Sequence, residues 1–510
     1  MEPNQDVIVI GGGIAGLTAA ALLARHGVRV TLLEAHHQLG GCAGTFRRGA
    51  YTFDVGATQV AGFEPGGSHA RIFSHLGLDR PAAEPLDPGC VVDLGDGSEP
   101  IALWRNPERW RRERQRQFPG TERFWALCSQ LHQSNWAFAA KDPVLPIRSG
   151  WDLLRTLGAI GPATLASAPL SLLSVADLLR LSGCQQHRRL RHFLDLQLRL
   201  YSQEPAERTA ALYGATVLQM AQEPQGLWHL HGSMQCLSDR LAAAIARDHG
   251  TLLMRHRVVA LQRSNRQGDW QVLAQRRDGR IVCLRASDVV CSLPPQCLPA
   301  LIAPGADGNG REVMPPTYRR HLERLQAPSG ALVMYGAVPR SALPRDCPAH
   351  LQRDHTQPGA LFVSVSREGD GRAPSGEATV IASVFTNPDG WCELPEPDYR
   401  RRKQEALEAI SSGLNHWLGI TPKDWCHQEL ATPRSFAFWT GRPRGIVGGL
   451  GQSPARFGPF GLASRTPMAN LWLCGDSIHP GEGTAGVSLS ALMACRQLTA
   501  QRGHPLELKP

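Results

Sequence analysis

A chain of 510 residues, 42% hydrophobic and 19% charged, has a globular composition and enough length for two or more domains around a large core. That excludes a disordered or fibrous chain. The formal charge of +9 fits anionic lipid headgroups better than nucleic acid, because Lys/Arg tracts and RNA-binding signatures are absent.

The first predicted element is a strand at residues 7–10, VIVI, an apolar run suited to a parallel strand covered on both faces. It begins too near the amino terminus to leave room for a signal peptide. Gly11, Gly13 and Gly16 follow as G-x-G-x-x-G, then a helix over residues 14–26, a stop at Gly27, and a strand over residues 29–33 with Glu34 at its end. Gly11 permits the tight turn, Gly13 lets the backbone approach a pyrophosphate, and Gly16 lets helix and strand pack closely. The helix amino terminus offers N–H groups and a positive dipole end to phosphate. Glu34 can accept hydrogen bonds from ribose hydroxyls and disfavours a 2′-phosphate, which argues against NADP. Strand, helix, strand and acid in this order point to a dinucleotide site rather than an ordinary glycine turn.

"HHQLGGCAGTF" places Gly40 and Gly41 after that acid, where a second glycine pair suits a ligand continuing past the pyrophosphate towards a flavin. "YTFDVGAT" then carries Asp54. Residues 100–215 read as mainly helical. Inside them, "WRNPERWRRERQRQF" at residues 104–118 is a basic run, read as a lipid-headgroup rim or a solvated helix face. Residues 156–176 carry no charge, but Gly158, Gly161, Pro162 and Pro169 would break a spanning helix. A buried segment or a monotopic surface patch is expected there instead.

A helix to about residue 248 comes next, then strands at 252–255, 258–262, 270–275, 281–285 and 289–291, with a hairpin turn at Asp278-Gly279. Strands at 331–338, 361–365 and 379–385 precede an amphipathic helix over residues 398–418. Exposed, flexible turns are expected at 64–68, 306–310 and 368–376. At the carboxyl end, a buried strand at 471–474 leads to Gly475-Asp476, a glycine-rich turn and a helix starting near Gly486. Asp476 can bind a ribityl hydroxyl, and the helix start can aim N–H groups at the flavin N1–C2=O edge. Two remote glycine-rich turns converging on one extended cofactor read as FAD. Thirteen cysteines without a C-x-x-C pair read as reduced thiols in a cytosolic setting.

"GGGIAGLTAAALLARHG", "LLEAHHQLGG", "HLHGSMQCLSDRLAAAIARDHG", "ATPRSFAFWTGRPRGIVGG" and "CGDSIHPGEGTAGVSLSAL" together resemble the FAD-dependent bacterial-type phytoene desaturases and carotenoid isomerases, within the larger group of flavin amine oxidases. "GGCAGTF" and "FDVGATQVAG" look most like the cyanobacterial C-3′,4′ carotenoid desaturase subgroup. The resemblance implies an α/β fold: a Rossmann-type FAD-binding domain, flavin amine oxidase-like, with an inserted α+β substrate domain. The FAD-binding domain is expected in pieces at 1–80, 228–300 and 465–510, and the substrate domain at 81–227 and 301–464. The matching FAD positions are Gly11, Gly13, Gly16, Glu34, Gly40, Gly41, Val258, Gly475, Asp476, Gly486 and Val487, with the Val258 backbone meeting the adenine. Many members carry Arg after the glycine pair; here Cys42 stands there.

The apolar stretches at 156–176 and 192–201 suit a long polyene, which binds by buried apolar area. The chain has six Tyr and no Tyr pair around the carboxyl-terminal turn, so an aromatic cage for an amine is not expected. Dehydrogenating an allylic position needs hydride removal, with flavin N5 as acceptor, and a proton acceptor for the neighbouring carbon. Glu482 is the first candidate acceptor and Asp54 the second; both also have structural readings, as does His479. The expectation is a carotenoid desaturase acting at C-3′,4′. Its alternatives are a carotenoid isomerase using reduced FAD and a non-catalytic prenyl-lipid-binding protein. Peripheral membrane contact on the cytoplasmic side and oxygen or quinone as electron acceptor are expected. Metal and nucleic acid are not.

Overall fold

The computed structural model describes residues 5–263, 268–305, 312–326 and 329–508. The expected turn at 306–310 lies outside them.

Buried apolar strands followed by Ala/Leu helices build the first sheet. Gln5–Ile10 lies between Val30–Glu34 and Ile281–Cys291, all parallel, with Thr251–Met254 and Leu471–Leu473 completing the parallel set. Three separated stretches of sequence, 5–34, 251–291 and 471–473, therefore meet in one sheet. The strands expected at 281–285 and 289–291 are one strand, Ile281–Cys291, because Ala286 and Asp288 keep pairing with Gln5 and Val7. Its first half also pairs antiparallel with Trp270–Arg276, which pairs with His256–Arg263. The Ile14–Arg25 helix packs against helices Gln235–Arg247 and Thr484–Gln501. Leu17, Leu22, Leu237, Leu241, Leu492 and Leu498 share one buried cluster, so burial of apolar area joins these remote segments.

A second sheet runs His427–Ala431, Gly330–Pro339, Glu377–Thr386, Leu361–Val365, His350–Arg353, Val91–Asp93, Ile101–Ala102. The Glu396–Leu418 helix packs on it through Ile410 and Leu414. The helices between residues 107 and 217 gather on a third cluster that includes Trp110, Phe118, Phe124 and Phe193.

The uncharged stretch at 156–176 is divided among the helices Gly150–Ala159 and Pro162–Ser167, the 3₁₀ turn Ala168–Leu172, and the start of Val175–Leu181. Among the described residues no helix is long and apolar enough to cross a membrane. The breaks fall at Gly161-Pro162 and next to Pro169, where helix geometry is disfavoured. The stretch is not buried as a whole: within it Leu157, Leu165 and Leu172 are 54%, 64% and 65% exposed, as is Leu154 just before it at 71%.

Two expected exposed turns differ. In 64–68 the Glu64 side chain is buried, leaving Pro65 and Gly66 exposed. In 368–376 Asp370 and Arg372 are buried, because they belong to an ion network described next.

Candidate active site

One cavity of about 1460 Å³ runs through the molecule, lined by residues of both sheets and of the helical region. That exceeds the usual 300–1,000 Å³ of a single small-ligand pocket. At one end lie the turns after the parallel strands. Gly11 has φ +97°, a left-handed value that favours glycine, and a Cβ on Gly16 would lie 1.9 Å from the Gly11 carbonyl oxygen. Helix and strand can approach this closely only because Gly16 lacks that atom. A Cβ on Gly13 would meet nothing within 4 Å, so open space faces its backbone. The second glycine pair packs on this turn: Gly40 N–H donates to the Gly12 carbonyl at 2.8 Å, and a Cβ on Gly41 would be 3.4 Å from Gly13 Cα. Glu34 accepts from Gly12 N–H at 2.6 Å and His36 N–H at 2.7 Å, and still lines the cavity.

The carboxyl-terminal turn faces the same space. Gly475, Asp476, Glu482, Gly486 and Val487 all line it. The last helix begins at Thr484, two residues before the expected start, so its first turn points unbonded N–H groups towards the cavity. Gly486 is required sterically, since its Cβ would fall 2.6 Å from the Gly481 carbonyl oxygen. Glu482 Oε2 accepts from Gln203 Nε2 at 2.8 Å, whereas its Oε1 is buried without a partner. Burial pushes this carboxyl up to about 8 against the Gln203 hydrogen bond, with the Asp476 charge adding to the rise. His479 also lines the cavity, and burial holds its ring down to about 4, hence neutral at pH 7.

Val258 is not among the residues lining the cavity. It is half-buried on the strand beyond Trp270–Arg276 and packs against the apolar cluster under the sheet. Asp54 does not line it either, which corrects its reading as a proton acceptor. Both carboxylate oxygens are engaged: Oδ1 accepts from Thr45 Oγ1 at 2.9 Å and Met234 N–H at 2.8 Å, and Oδ2 pairs with Arg372 at 2.9 Å. Arg372 also pairs with Asp370 at 3.1 Å, and His229 Nε2 donates to Asp370 at 2.9 Å. Burial pushes Asp370 up, but the His229 hydrogen bond and the Arg372 charge outweigh it and hold the carboxyl at about 2. These groups tie the first hairpin to the second sheet.

The cavity continues past Glu482 into an apolar arm that includes Leu200, Leu212, Val217, Met220, Phe362 and Val384. Thr156, Ile160, Thr164 and Ala168, from the segments that carry the exposed leucines, line it as well. The basic run at 104–118 lies elsewhere and its cations are largely engaged. Arg105 pairs with Glu223, Arg109 with Asp87, Arg111 with Glu108, and Arg116 with Glu113. Arg114 is half-buried, and that desolvation lowers it to about 10. Sequence reasoning missed Gln203 and Arg442, since neither belongs to a glycine motif; both reach the Gly475–Glu482 turn from the insertions.

The family model for flavin containing amine oxidoreductases matches residues 14–499. The chain belongs to that family. Similar curated proteins include hydroxyneurosporene desaturase of Cereibacter sphaeroides, 28% identical over 97% of this chain and 97% of the relative. Another is the chloroplastic prolycopene isomerase of Arabidopsis thaliana, 24% identical over 98% of this chain and 84% of the relative. These are the desaturase and isomerase kinds that the motifs resemble. Solved putrescine oxidase, bound to putrescine, superposes with TM-score 0.64 at 17% identity, covering 98% of this chain and 100% of that one. Cyclohexylamine oxidase from Brevibacterium oxydans gives 0.57 at 19%, over 97% and 100%. The fold is therefore the Rossmann-type, flavin amine oxidase-like fold, the cofactor is FAD, and the chain is an FAD-dependent oxidoreductase. The residues fit that cofactor: open space fronts Gly13, the Glu34 carboxylate borders it, and the last helix presents its amino terminus.

Proposed function

We propose that the protein is a carotenoid desaturase, removing two hydrogens from a long polyene, with C-3′,4′ desaturation as its specific reaction. The observation that carries this reading is the continuity of the cavity from the glycine turns into an apolar arm. A polyene has no polar handle, so its affinity must come from buried area, about 25 cal/mol per Å².

The carboxylates support a polyene over an amine. Among the described residues, those lining the cavity are Glu34, Glu429, Asp476 and Glu482. Glu34 holds backbone N–H groups, Glu429 pairs with Arg48, and Asp476 pairs with Arg442. Glu482 is mainly neutral at pH 7 because burial raises it to about 8. A cationic substrate would find no unpaired negative charge here.

Bound FAD supplies a two-electron hydride acceptor. The arm holds the polyene so that the two reacting carbons stay in place and water is excluded. Gln203 fixes Glu482, and the Glu482 carboxylate takes the proton from the carbon beside the one that loses hydride. The electron pair of that C–H bond closes the new double bond, for a net loss of two hydrogens. The exposed leucines on the segments that carry the cavity residues Thr156 and Thr164 suit peripheral contact with a bilayer on its cytoplasmic side, from which the substrate enters. Oxygen or a quinone then takes the electrons.

A carotenoid isomerase is the second reading, favoured by the neutral form of Glu482, which suits a proton donor better than a base. Mass analysis of carotenoids from a host making lycopene or a hydroxylated monocyclic carotene separates the two. A product lighter by two hydrogens supports desaturation. An altered isomer of unchanged mass refutes it in favour of isomerisation.

A further inference from the structure

One guanidinium that belongs to none of the glycine turns pairs with the carboxyl-terminal one and shares its cavity with the others. Arg442 follows the helix Pro433–Thr440, far from the parallel strands in sequence, and lines the cavity with its side chain 13% exposed. Its Nε donates to the Ile446 carbonyl at 2.8 Å, its Nη2 donates to the Gly448 carbonyl, and the same nitrogen pairs with Asp476 Oδ2 at 2.7 Å. Its charge also acts on Cys42, Cys297 and Glu482. It therefore lies where the glycine pair, the loop after Ile281–Cys291 and the carboxyl-terminal turn converge.

Those turns carry no strong cation. Residues 11–16, 39–44 and 475–487 contain neither Lys nor Arg. Among the other described Lys and Arg lining the cavity, Arg71 pairs with Asp142, Arg48 pairs with Glu429, Arg47 and Arg199 are exposed, and Lys403 is half-buried on the Glu396–Leu418 helix of the second sheet; Arg442 is paired too, but its partner Asp476 belongs to the carboxyl-terminal turn itself. Backbone N–H groups and the helix dipole hold a pyrophosphate, and a guanidinium adds charge-assisted hydrogen bonds from a planar fork of donors matched to phosphate oxygens. The backbone carbonyls of Ile446 and Gly448 hold that fork in place.

We infer that Arg442 is a cofactor-binding residue: its guanidinium is the counter-charge to the FAD pyrophosphate, reaching in from the insertion to the place where Cys42 follows the glycine pair. This rests on the assignment of FAD to the cavity. Its supporting loop also places Glu482, since Gly449 N–H donates to Glu482 Oε2 at 3.4 Å. Cofactor anchoring and the placement of Glu482 thus share one segment.

The test uses the full chain, stripped of flavin and titrated with FAD and with riboflavin, which lacks phosphate. Arg442→Gln should weaken FAD binding about 10- to 100-fold, the range for a charge-assisted contact, and change riboflavin binding by less than about threefold. Arg442→Lys keeps the charge without the fork and should lose about three- to tenfold in FAD affinity. Cys42→Arg combined with Arg442→Gln should recover FAD affinity to within about tenfold of the parent. If Arg442→Gln does not fold, as judged by near-UV circular dichroism, the Lys variant decides alone. Unchanged FAD affinity in the folded variants, or equal losses for FAD and riboflavin, would overturn the inference. A parent chain that takes up no FAD would overturn the cofactor assignment itself.

Discussion

Glu482 carries the chemistry of the proposal, and its environment dictates how activity must respond to pH. If its carboxylate is the proton acceptor, the rate with bound polyene should rise as pH increases through about 8, the value to which burial pushes it. A rate that falls across the same range would mark it as a proton donor and favour isomerisation. The same shift acts on stability. A folded value of about 8 against an unfolded value of 4.5 means that the folded state binds the extra proton between them. Stability is complete below about pH 4.5 and is lost as pH rises towards 8. Melting of the flavin-free Glu482→Gln variant should therefore be less pH-dependent over that interval than melting of the parent; equal dependence would remove the assignment. Glu482 was legible because it stands in a glycine-rich turn. Asp54 misled because a carboxylate beside a glycine motif looks the same in sequence whether it faces substrate or a buried arginine. Its partner Arg372 is 318 positions away and gives no local signal. Replacing Arg372 by Ala would leave Asp54 and Asp370 buried without their cation and should cost about 3–5 kcal/mol, measured by denaturant unfolding.

Among the elements, the strand–turn–helix units show which glycines serve the fold and which serve the ligand. Gly16→Ala would drive a Cβ to 1.9 Å from the Gly11 carbonyl oxygen, so the helix must shift, at about 1–3 kcal/mol. Gly13→Ala would place its Cβ in open space, so the fold should keep its melting temperature while FAD affinity falls. Melting and FAD titration of the two variants check this; retained FAD affinity in Gly13→Ala would contradict it. These units were readable because a buried strand, a glycine turn and an Ala/Leu helix each leave a local pattern. The short strands Val91–Asp93, Ile101–Ala102 and His350–Arg353 were not. They have two to four residues and are held by partners remote in sequence, such as Leu351 beside Val91. The reading of 281–291 as two strands failed for a related reason: charged Arg285 and Asp288 interrupt the apolar run, but strand pairing continues through them, Arg285 with Gln271 and Asp288 with Val7.

Across the whole molecule, both insertions bring residues to a cavity that the turns after the parallel strands also line, and the exposed leucines lie on segments that contribute Thr156, Thr164 and Ala168 to it. Each fully buried leucine is worth about 1.5–3 kcal/mol, so a triple change of Leu154, Leu165 and Leu172 to Ser should lower partitioning onto anionic vesicles by more than about tenfold. Reversing charges in the basic run at 104–118 should matter less, because most of those arginines are already paired. Equal partitioning of the leucine variant would dismiss this patch as a bilayer contact. The cofactor end of the cavity was readable from sequence, and of the rest only the lining from the apolar stretches at 156–176 and 192–201 was; Leu212, Met220, Phe362 and Val384 were not, because an apolar cavity is assembled from unrelated helices and strands without the fixed spacing that glycine geometry leaves. The most direct measurement is an anaerobic single turnover of the FAD-loaded protein with its polyene. The flavin absorbance should bleach in step with formation of one product molecule two hydrogens lighter per FAD. Product formed with the flavin absorbance unchanged, or no reduction by any polyene that binds, would contradict it.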